Sequence, residues 1–335
     1  MIEILSTLIN NYGTIREGSL EGRYINTTHI SKALKKATSN FEVKVLGEST
    51  LGEAIHLIKV GSGKIKILMW SQMHGNESTT TKAVFDMLNV FNDHSKDPDI
   101  KNLLSNCTIN IIPMLNPDGA KAYTRVNANE IDLNRDAKNL TQAESIVLRT
   151  VFDEIQPDFC FNLHDQRTIF SAGSSEAPAT LSFLTPSEDI DRSITKSREE
   201  SMKVVGAIYK DLSKLIPGSI GRYDDAYNAN CTGDTFQGMG VPTILFEAGH
   251  FKDDYTRDKT REYVFYALFS GLNAVATQEY KKIDTSVYFN IPENEKLFYD
   301  VILRNAQIEG NIVDVAIQFK EILKDSKVVF SPIVE

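Results

Sequence analysis

A chain of 335 residues in which 41% are hydrophobic is long enough to bury one large core with a small appendage. Its 36 Lys and Arg stand against 45 Asp and Glu, a formal charge of −9, and no basic run offers a stripe for phosphates, which argues against nucleic acid as a partner. Cys107, Cys160 and Cys231 are odd in number and widely spaced, so no disulfide framework is indicated, and no window reaches the roughly 18 apolar residues of a membrane span. Residues 1–13 lack a basic segment followed by an apolar stretch and a small-residue cleavage site, so a cytoplasmic location is expected.

Taken in chain order, residues 65–70 form the first of four short apolar runs, rich in β-branched or aromatic residues, that read as buried strands. Residues 78–91 follow with Ala83, Val84, Met87, Leu88 and Phe91 at helical spacing, and residues 108–114 are the second strand. Thr141, with Glu144 three residues on, reads as a capping box that opens another helix. Residues 158–163 and 241–246 complete the strands, and residues 187–216 and 255–278 have helical periodicity. Between these lie residues 168–186 and 218–240, rich in Gly, Ser, Asn and Asp, which read as long loops of the kind that carry function.

Strands alternating with helices predict an α/β fold with a mixed, mostly parallel central sheet flanked by helices. Beyond about residue 280 the pattern changes to short apolar runs at 301–303, 313–319 and 328–334. The expected division is therefore a main domain over residues 1–280 and a small β-rich C-terminal extension over 281–335.

The reactive residues fall where those strands end. Met-His-Gly-Asn-Glu (73–77) follows the first, Asn-Pro-Asp-Gly (116–119) follows the second, His164 ends the third and Glu247 ends the fourth. In open α/β sheets the ligand site lies beyond the carboxyl ends of the strands, so four separate segments point at one place. His74 and Glu77, three residues apart in a turn, can present an imidazole nitrogen and a carboxylate oxygen to one ion, and a distant third ligand leaves a position open for water. Taken singly, the pair also fits a surface turn with a helix-start glutamate, Gly75 supporting the turn.

His164 taken alone fits a strand-end histidine. His250 competes as a ligand, but a continuing strand would aim it away from the face that carries Glu247. His29, His56 and His94 lie away from these strand ends and read as structural or solvent-facing. Arg125 and Arg135 follow the Asn-Pro-Asp-Gly turn closely, and a guanidinium suits either the grasp of a carboxylate or the polarisation of a carbonyl. Each could instead pair with Asp132 or Asp136 at the surface.

Together these motifs resemble the M14 zinc carboxypeptidases. His-Gly-Asn-Glu (74–77) resembles the family's H-x-x-E, Asn-Pro-Asp-Gly (116–119) its N-P-D-G, Asp-Leu-Asn-Arg (132–135) its D-x-N-R, and Phe-Glu-Ala-Gly (246–249) its catalytic strand. Leu-Gly-Glu-Ser-Thr-Leu-Gly-Glu (46–53) is similar to the lead-in motif, with Glu53 in place of Arg. The resemblance spans about residues 24–277 and implies one Zn²⁺ per chain, held by His74, Glu77 and His164, with Glu247 as general base.

It further implies that Asn134 and Arg135 hold a substrate's terminal carboxylate and that Arg125 supports the oxyanion. Tyr227 would be the mobile loop tyrosine, with Tyr223 as second choice. Asp234, seven residues after Tyr227, would face the terminal side chain and favour basic substrates; alternatively it caps a turn after Gly233. The implied activity is hydrolysis of the C-terminal amide bond of a peptide, or of an amino-acid amide, with a free carboxylate. Asn76 stands where the digestive members of the family carry Arg and Asp165 where many members have Ser, and His-Gly-Asn-Glu (74–77) together with Asp-Leu-Asn-Arg (132–135) and Leu-His-Asp (163–165) also resembles the aspartoacylase and succinylglutamate desuccinylase branch, so an N-acyl amino acid deacylase is the alternative. The Asn-Pro-Asp-Gly turn favours the peptidase. A non-catalytic binding domain on the same fold is a third reading, and the tail beyond residue 280 lies outside the resemblance.

Overall fold

Apolar runs flanked by Gly, Asn and Asp dictate a stack of short strands, and the computed structural model describes them within residues 3–334; Met1, Ile2 and Glu335 lie outside the described residues. In chain order the strands of the main sheet are β1 (Glu42–Glu48), β2 (Ala54–Gly61), β3 (Ile65–Ser71), β4 (Cys107–Ile112) and β5 (Phe159–Asp165). After a short β6 (Phe170–Ala172) come β7 (Leu181–Leu184), β8 (Ile220–Arg222) and β9 (Thr243–Ala248). Their spatial order is β1-β2-β4-β3-β5-β9-β7-β8.

The four central strands, β4, β3, β5 and β9, run parallel, while β1, β2 and β7 introduce antiparallel pairs at the margins. The fold is the mixed, mostly parallel α/β sheet that the alternation of strands and helices predicts. Alternate side chains of β3 serve opposite layers. Ile67 and Met69 join the larger apolar core, with helices Thr79–Asp93, Lys196–Leu212 and Asp258–Thr277 on that face. Leu68 and Trp70 face a second core, with Phe152 of helix Ala143–Ile155 and Phe236 of helix Thr232–Gly238.

The chain leaves β3 towards β4 on one side, while β5 lies on the other, and this divergence opens a crevice at the carboxyl end of β3. The β5–β9 register then sets His164 and Glu247 side by side as cross-strand partners. Two of the strongest candidate residues are thereby fixed by backbone pairing rather than by loop conformation.

Several expectations need correction. The capping box at Thr141 does not form: the helix starts at Ala143 with Gln142 as its N-cap, and Thr141 donates instead to Asp136. Glu144 is buried and accepts from Thr50 and Asn127, so it cannot reach back to the helix start. A capping box does form at Asn26 and His29, where helix Thr27–Thr38 begins. The two long loops also contain β6, β7, β8 and helix Thr232–Gly238, elements too short to show a period in sequence.

The C-terminal segment supplies β10 (Asn294–Lys296), which pairs with β6, and an antiparallel sheet of β11 (Val301–Ile308), β12 (Asn311–Lys324) and β13 (Lys327–Val334). It lies against the main body rather than apart from it, since Phe298 donates its backbone N–H to Ile169 and Glu321 pairs with Arg23. Among the described residues, no helix is long and apolar enough to cross a membrane.

Candidate metal centre and active site

Directly after β3 the backbone turns sharply: Gln72 sits at φ +50, held by bonds from its amide to the carbonyls of Ile25 and Gly75. Strain of this kind persists only where the surroundings over-determine it. Gly75 is required by close approach, because a Cβ there would lie 1.9 Å from the carbonyl carbon of Gly119. The His-Gly-Asn-Glu turn thus packs directly on the Asn-Pro-Asp-Gly turn, whose Asn116 also donates to the Met73 carbonyl. Local geometry of this sort places His74 and Glu77 before any ligand is considered.

His74, Glu77 and His164 are all buried, and one donor atom from each lies within 4.8 Å of the others. His74 Nδ1 is 2.8 Å from Glu77 Oε1, His164 Nδ1 is 2.9 Å from Glu77 Oε2, and the two Nδ1 atoms are 3.0 Å apart. Asp132 lies 3.0 Å from His74 Nε2. An ionised carboxylate only accepts, so the Asp132 contact is a donation from His74 Nε2; burial alone would lower the His74 pKa, but Glu77 and Asp132 raise it, which favours a hydrogen on Nδ1 towards Glu77 as well. A metal ion seated among the three groups, whose donor atoms lie within 4.8 Å of one another, would take the place of that hydrogen. Two imidazoles and one carboxylate, oriented by an outer carboxylate, form a donor set suited to catalytic zinc.

The electrostatics follow from this crowding. Burial alone would raise the Glu77 carboxyl, yet His74 and His164 hold it well below the usual carboxylate range. Burial pushes His164 down towards the neutral form that a ligand needs. Burial, with the nearby charges of Glu77 and Asp165, pushes Glu247 well above the ordinary range, and its Oε2 has no hydrogen-bond partner among the described residues. His250 stands apart from this group: β9 ends at Ala248, and the imidazole packs on Tyr255 with ring centroids 5.0 Å apart.

All three ligand candidates and Glu247 line one cleft of about 760 Å³ with Arg125, Asn134, Arg135 and Asp234. Arg125 is half exposed and donates to Glu77 at 3.3 Å and to Asp132 at 3.1 Å. Arg135 behaves differently. It donates to the Asn134 carbonyl at 2.8 Å and to Cys231 Sγ at 3.0 Å, and among the described residues it has no carboxylate partner. Asn134 accepts from the Thr232 N–H, tying this end of the cleft to helix Thr232–Gly238. Asp234 accepts from the Asn228 N–H, and burial pushes its carboxyl up to about 6.

Of the two tyrosine candidates, the structure brings Tyr223 into the cleft lining and leaves Tyr227 out of it. The reason is positional. Tyr223 follows β8 immediately, its N–H is bonded to the Phe183 carbonyl, and its ring packs edge-on against Phe170. Burial, and then Glu247 and Glu77, raise its phenol far above the usual value, as expected of a hydroxyl facing the carboxylates of the site.

The sequence reading missed Arg23, Arg257 and the tail residues Gln318 to Glu321, all of which line the same cleft. Arg257 is buried, donates to the carbonyls of Ala248 and Gln166, and lies 3.4 Å from Asp165. Arg23 and Arg257 are single charged residues in polar segments, and Gln318 to Glu321 lie at the end of an apolar run far from the other motifs, so no motif singles them out.

Residues 27–193 match the family model described as zinc carboxypeptidase. Carboxypeptidase SOL1 of Arabidopsis thaliana is 26% identical over 162 residues, 42% of this chain and 33% of that protein. Carboxypeptidase M of Mus musculus is 25% identical over 205 residues, 51% of this chain and 46% of that protein. The matched regions thus cover less than half the length of these two curated relatives. A metallo-carboxypeptidase structure from Burkholderia cenocepacia superposes with a TM-score of 0.61 at 18% identity, covering 76% of this chain and 70% of that one, a likeness of fold.

Proposed function

The chain belongs to the M14 zinc carboxypeptidase family, and from that premise we propose that it is a zinc-dependent hydrolase that cleaves the C-terminal amide bond of a peptide or of an amino-acid amide with a free carboxylate. The observation that carries the reading is Arg135, a guanidinium in the cleft beside Asn134 with no carboxylate partner among the described residues. The side chain is exposed to the cleft, so its planar fork of donors is solvated and open to a carboxylate brought by the substrate.

Zinc held by His74, Glu77 and His164 would polarise the scissile carbonyl, acidify the attacking water and, as the largest local positive charge, draw Glu247 back towards its ionised form. Glu247, beside His164 on the neighbouring strand, takes the proton of that water and returns it to the leaving amine. Arg125 gives up part of its pairing with Glu77 and Asp132 to meet the charge that develops on the carbonyl oxygen. Tyr223 covers the substrate from the β8 side, the part first expected of Tyr227. Asp234 stands at the Arg135 end, where it would favour a basic terminal side chain.

The test compares peptides with a free C-terminus, the same peptides amidated, and short N-acyl amino acids, in wild type and Arg135→Ala. Removing charge-assisted hydrogen bonds should raise KM for the free-carboxylate substrates by about 10- to 100-fold and leave amidated ones nearly unaffected. Equal wild-type rates on free and amidated peptides would sink the exopeptidase reading. Faster cleavage of N-acyl amino acids than of any peptide would favour the deacylase.

A further inference from the structure

Two chains of contact lead away from the ligand trio. Through Asp132, which holds His74, the chain continues into Asn134 and Arg135, and so to Thr232 and Cys231. Through Asp165, which follows His164 and donates its N–H to Glu77, it continues into Arg257 and the neighbouring Arg23, and so to Glu321 on β12. A substrate whose terminal carboxylate sits at Arg135 and whose scissile bond lies at the trio has its remaining residues to place in the rest of the cleft, which the tail sheet lines with Gln318, Phe319, Lys320 and Glu321.

That part of the cleft is closed by a strand held from three separate parts of the main body. Glu321 accepts from Arg23 Nη2 at 2.7 and 2.9 Å and from the Tyr123 hydroxyl at 2.5 Å. Phe319 donates its N–H to Asp300 at 2.6 Å, and Asp300 also accepts from the Tyr255 hydroxyl at 2.8 Å. The Phe319 ring packs on Tyr255 and on Phe330 of β13. Arg23 is almost wholly buried, so breaking its pair with Glu321 would strand a charge away from water. A segment anchored this way is a wall, not a flap that swings aside for each substrate.

We infer that the β12 segment from Gln318 to Glu321 bounds the acyl side of the cleft and restricts the enzyme to short substrates, with few residues before the scissile bond. The inference rests on the peptidase reading above. Long peptides would have to displace β12 or bend sharply over it, and either costs binding free energy that short ones keep. The four tail residues are thereby specificity-determining, although they lie more than 70 positions after Glu247.

The experiment measures kcat/KM of the zinc-loaded full chain on N-blocked di-, tri- and pentapeptides that share their last two residues. Wild type should discriminate against the pentapeptide relative to the dipeptide by at least about tenfold, the scale of one unfavourable subsite. Glu321→Ala should raise the pentapeptide-to-dipeptide ratio at least threefold. Lys320→Ala, at an exposed position on the same stretch where folding is not at stake, should raise it in the same direction. A wild-type ratio near one, or a low ratio that neither substitution moves, overturns the inference while leaving the peptidase reading intact. Failure to cleave any of the three peptides overturns the peptidase reading, and this inference with it.

Discussion

The two ends of the cleft both carry arginines, and the two sets are treated in opposite ways. At one end Arg135 is exposed to the cleft and, among the described residues, bonded to a backbone carbonyl and a thiol and to no carboxylate. At the other, Arg23 and Arg257 are buried and engaged by Glu321, Asp165 and three backbone carbonyls, those of Tyr255, Ala248 and Gln166. An open guanidinium has its free energy of pairing still to gain and can spend it on a ligand. A closed one has already done so: Arg23 holds the tail through Glu321, and Arg257 holds Asp165 and the backbone at Ala248 and Gln166. On the proposed reading the same residue type would mark binding at one end and architecture at the other, with His74, Glu77 and His164 between them.

The sharpest way to break this picture is at the trio, because both ends have meaning only relative to it. Purified protein should carry about one zinc, and His74→Ala or His164→Ala should abolish it, since losing one of three ligands leaves too little affinity. Metal analysis checks this, and full occupancy in the His164 variant would remove that residue from the ligand set. Next in size, Glu247→Gln should keep zinc and fold but lower turnover by about 10²- to 10⁴-fold, the loss expected for a positioned acid–base group. A variant with turnover near wild type would show that another group moves the proton.

The closed end can be probed by pH. Burial alone would raise the Glu321 carboxyl, but Arg23 and Arg257 outweigh it and hold the folded-state pKa below the ordinary value. A depressed carboxylate contributes stability that is present above its unfolded pKa and is lost as pH falls through the lower, folded value. Glu321→Gln should therefore destabilise the protein by about 1–3 kcal/mol near pH 7, and the gap from wild type should shrink as pH drops below the ordinary carboxylate range. Denaturant unfolding of both proteins across that range tests it, and a gap that stays constant into acid would mean that the pair contributes nothing through its charge.

The smallest effect is expected at the open end. Asp234→Ala should reduce a preference for a terminal Lys over Phe by about tenfold, since an unpaired carboxylate penalises an apolar side chain. The kcat/KM values for substrates ending in Lys, Phe and Glu decide it. An unchanged profile would make Asp234 only the acceptor of the Asn228 N–H.

Much of this site could be read locally because its chemistry sits at the ends of apolar strands. Residues 65–70 and 158–163 announce themselves by composition, and β3 and β5 lie within a residue or two of those runs. Where the local signal was equivocal, the structure decided differently. Thr141 and Glu144 match a capping box letter for letter, yet Asp136 captures Thr141 and a buried network takes Glu144. Tyr227 and Tyr223 lie four residues apart in one polar stretch, and only the end point of β8 brings one of them into the cleft.

What the sequence determined by itself is therefore the order of the four central strands and the longer helices between them, and the identity of the groups that follow those strands, because period, apolar content and turn residues are properties of neighbours along the chain. The tertiary structure decided which of those groups meet and which remain open. Arg23 and Glu321 are 298 positions apart, and nothing within a few residues of either predicts the other. Their pairing depends on a β-hairpin at the end of the chain folding back over a helix start near its beginning. Contacts of that range are set by how whole layers pack, and a one-dimensional pattern carries no record of them.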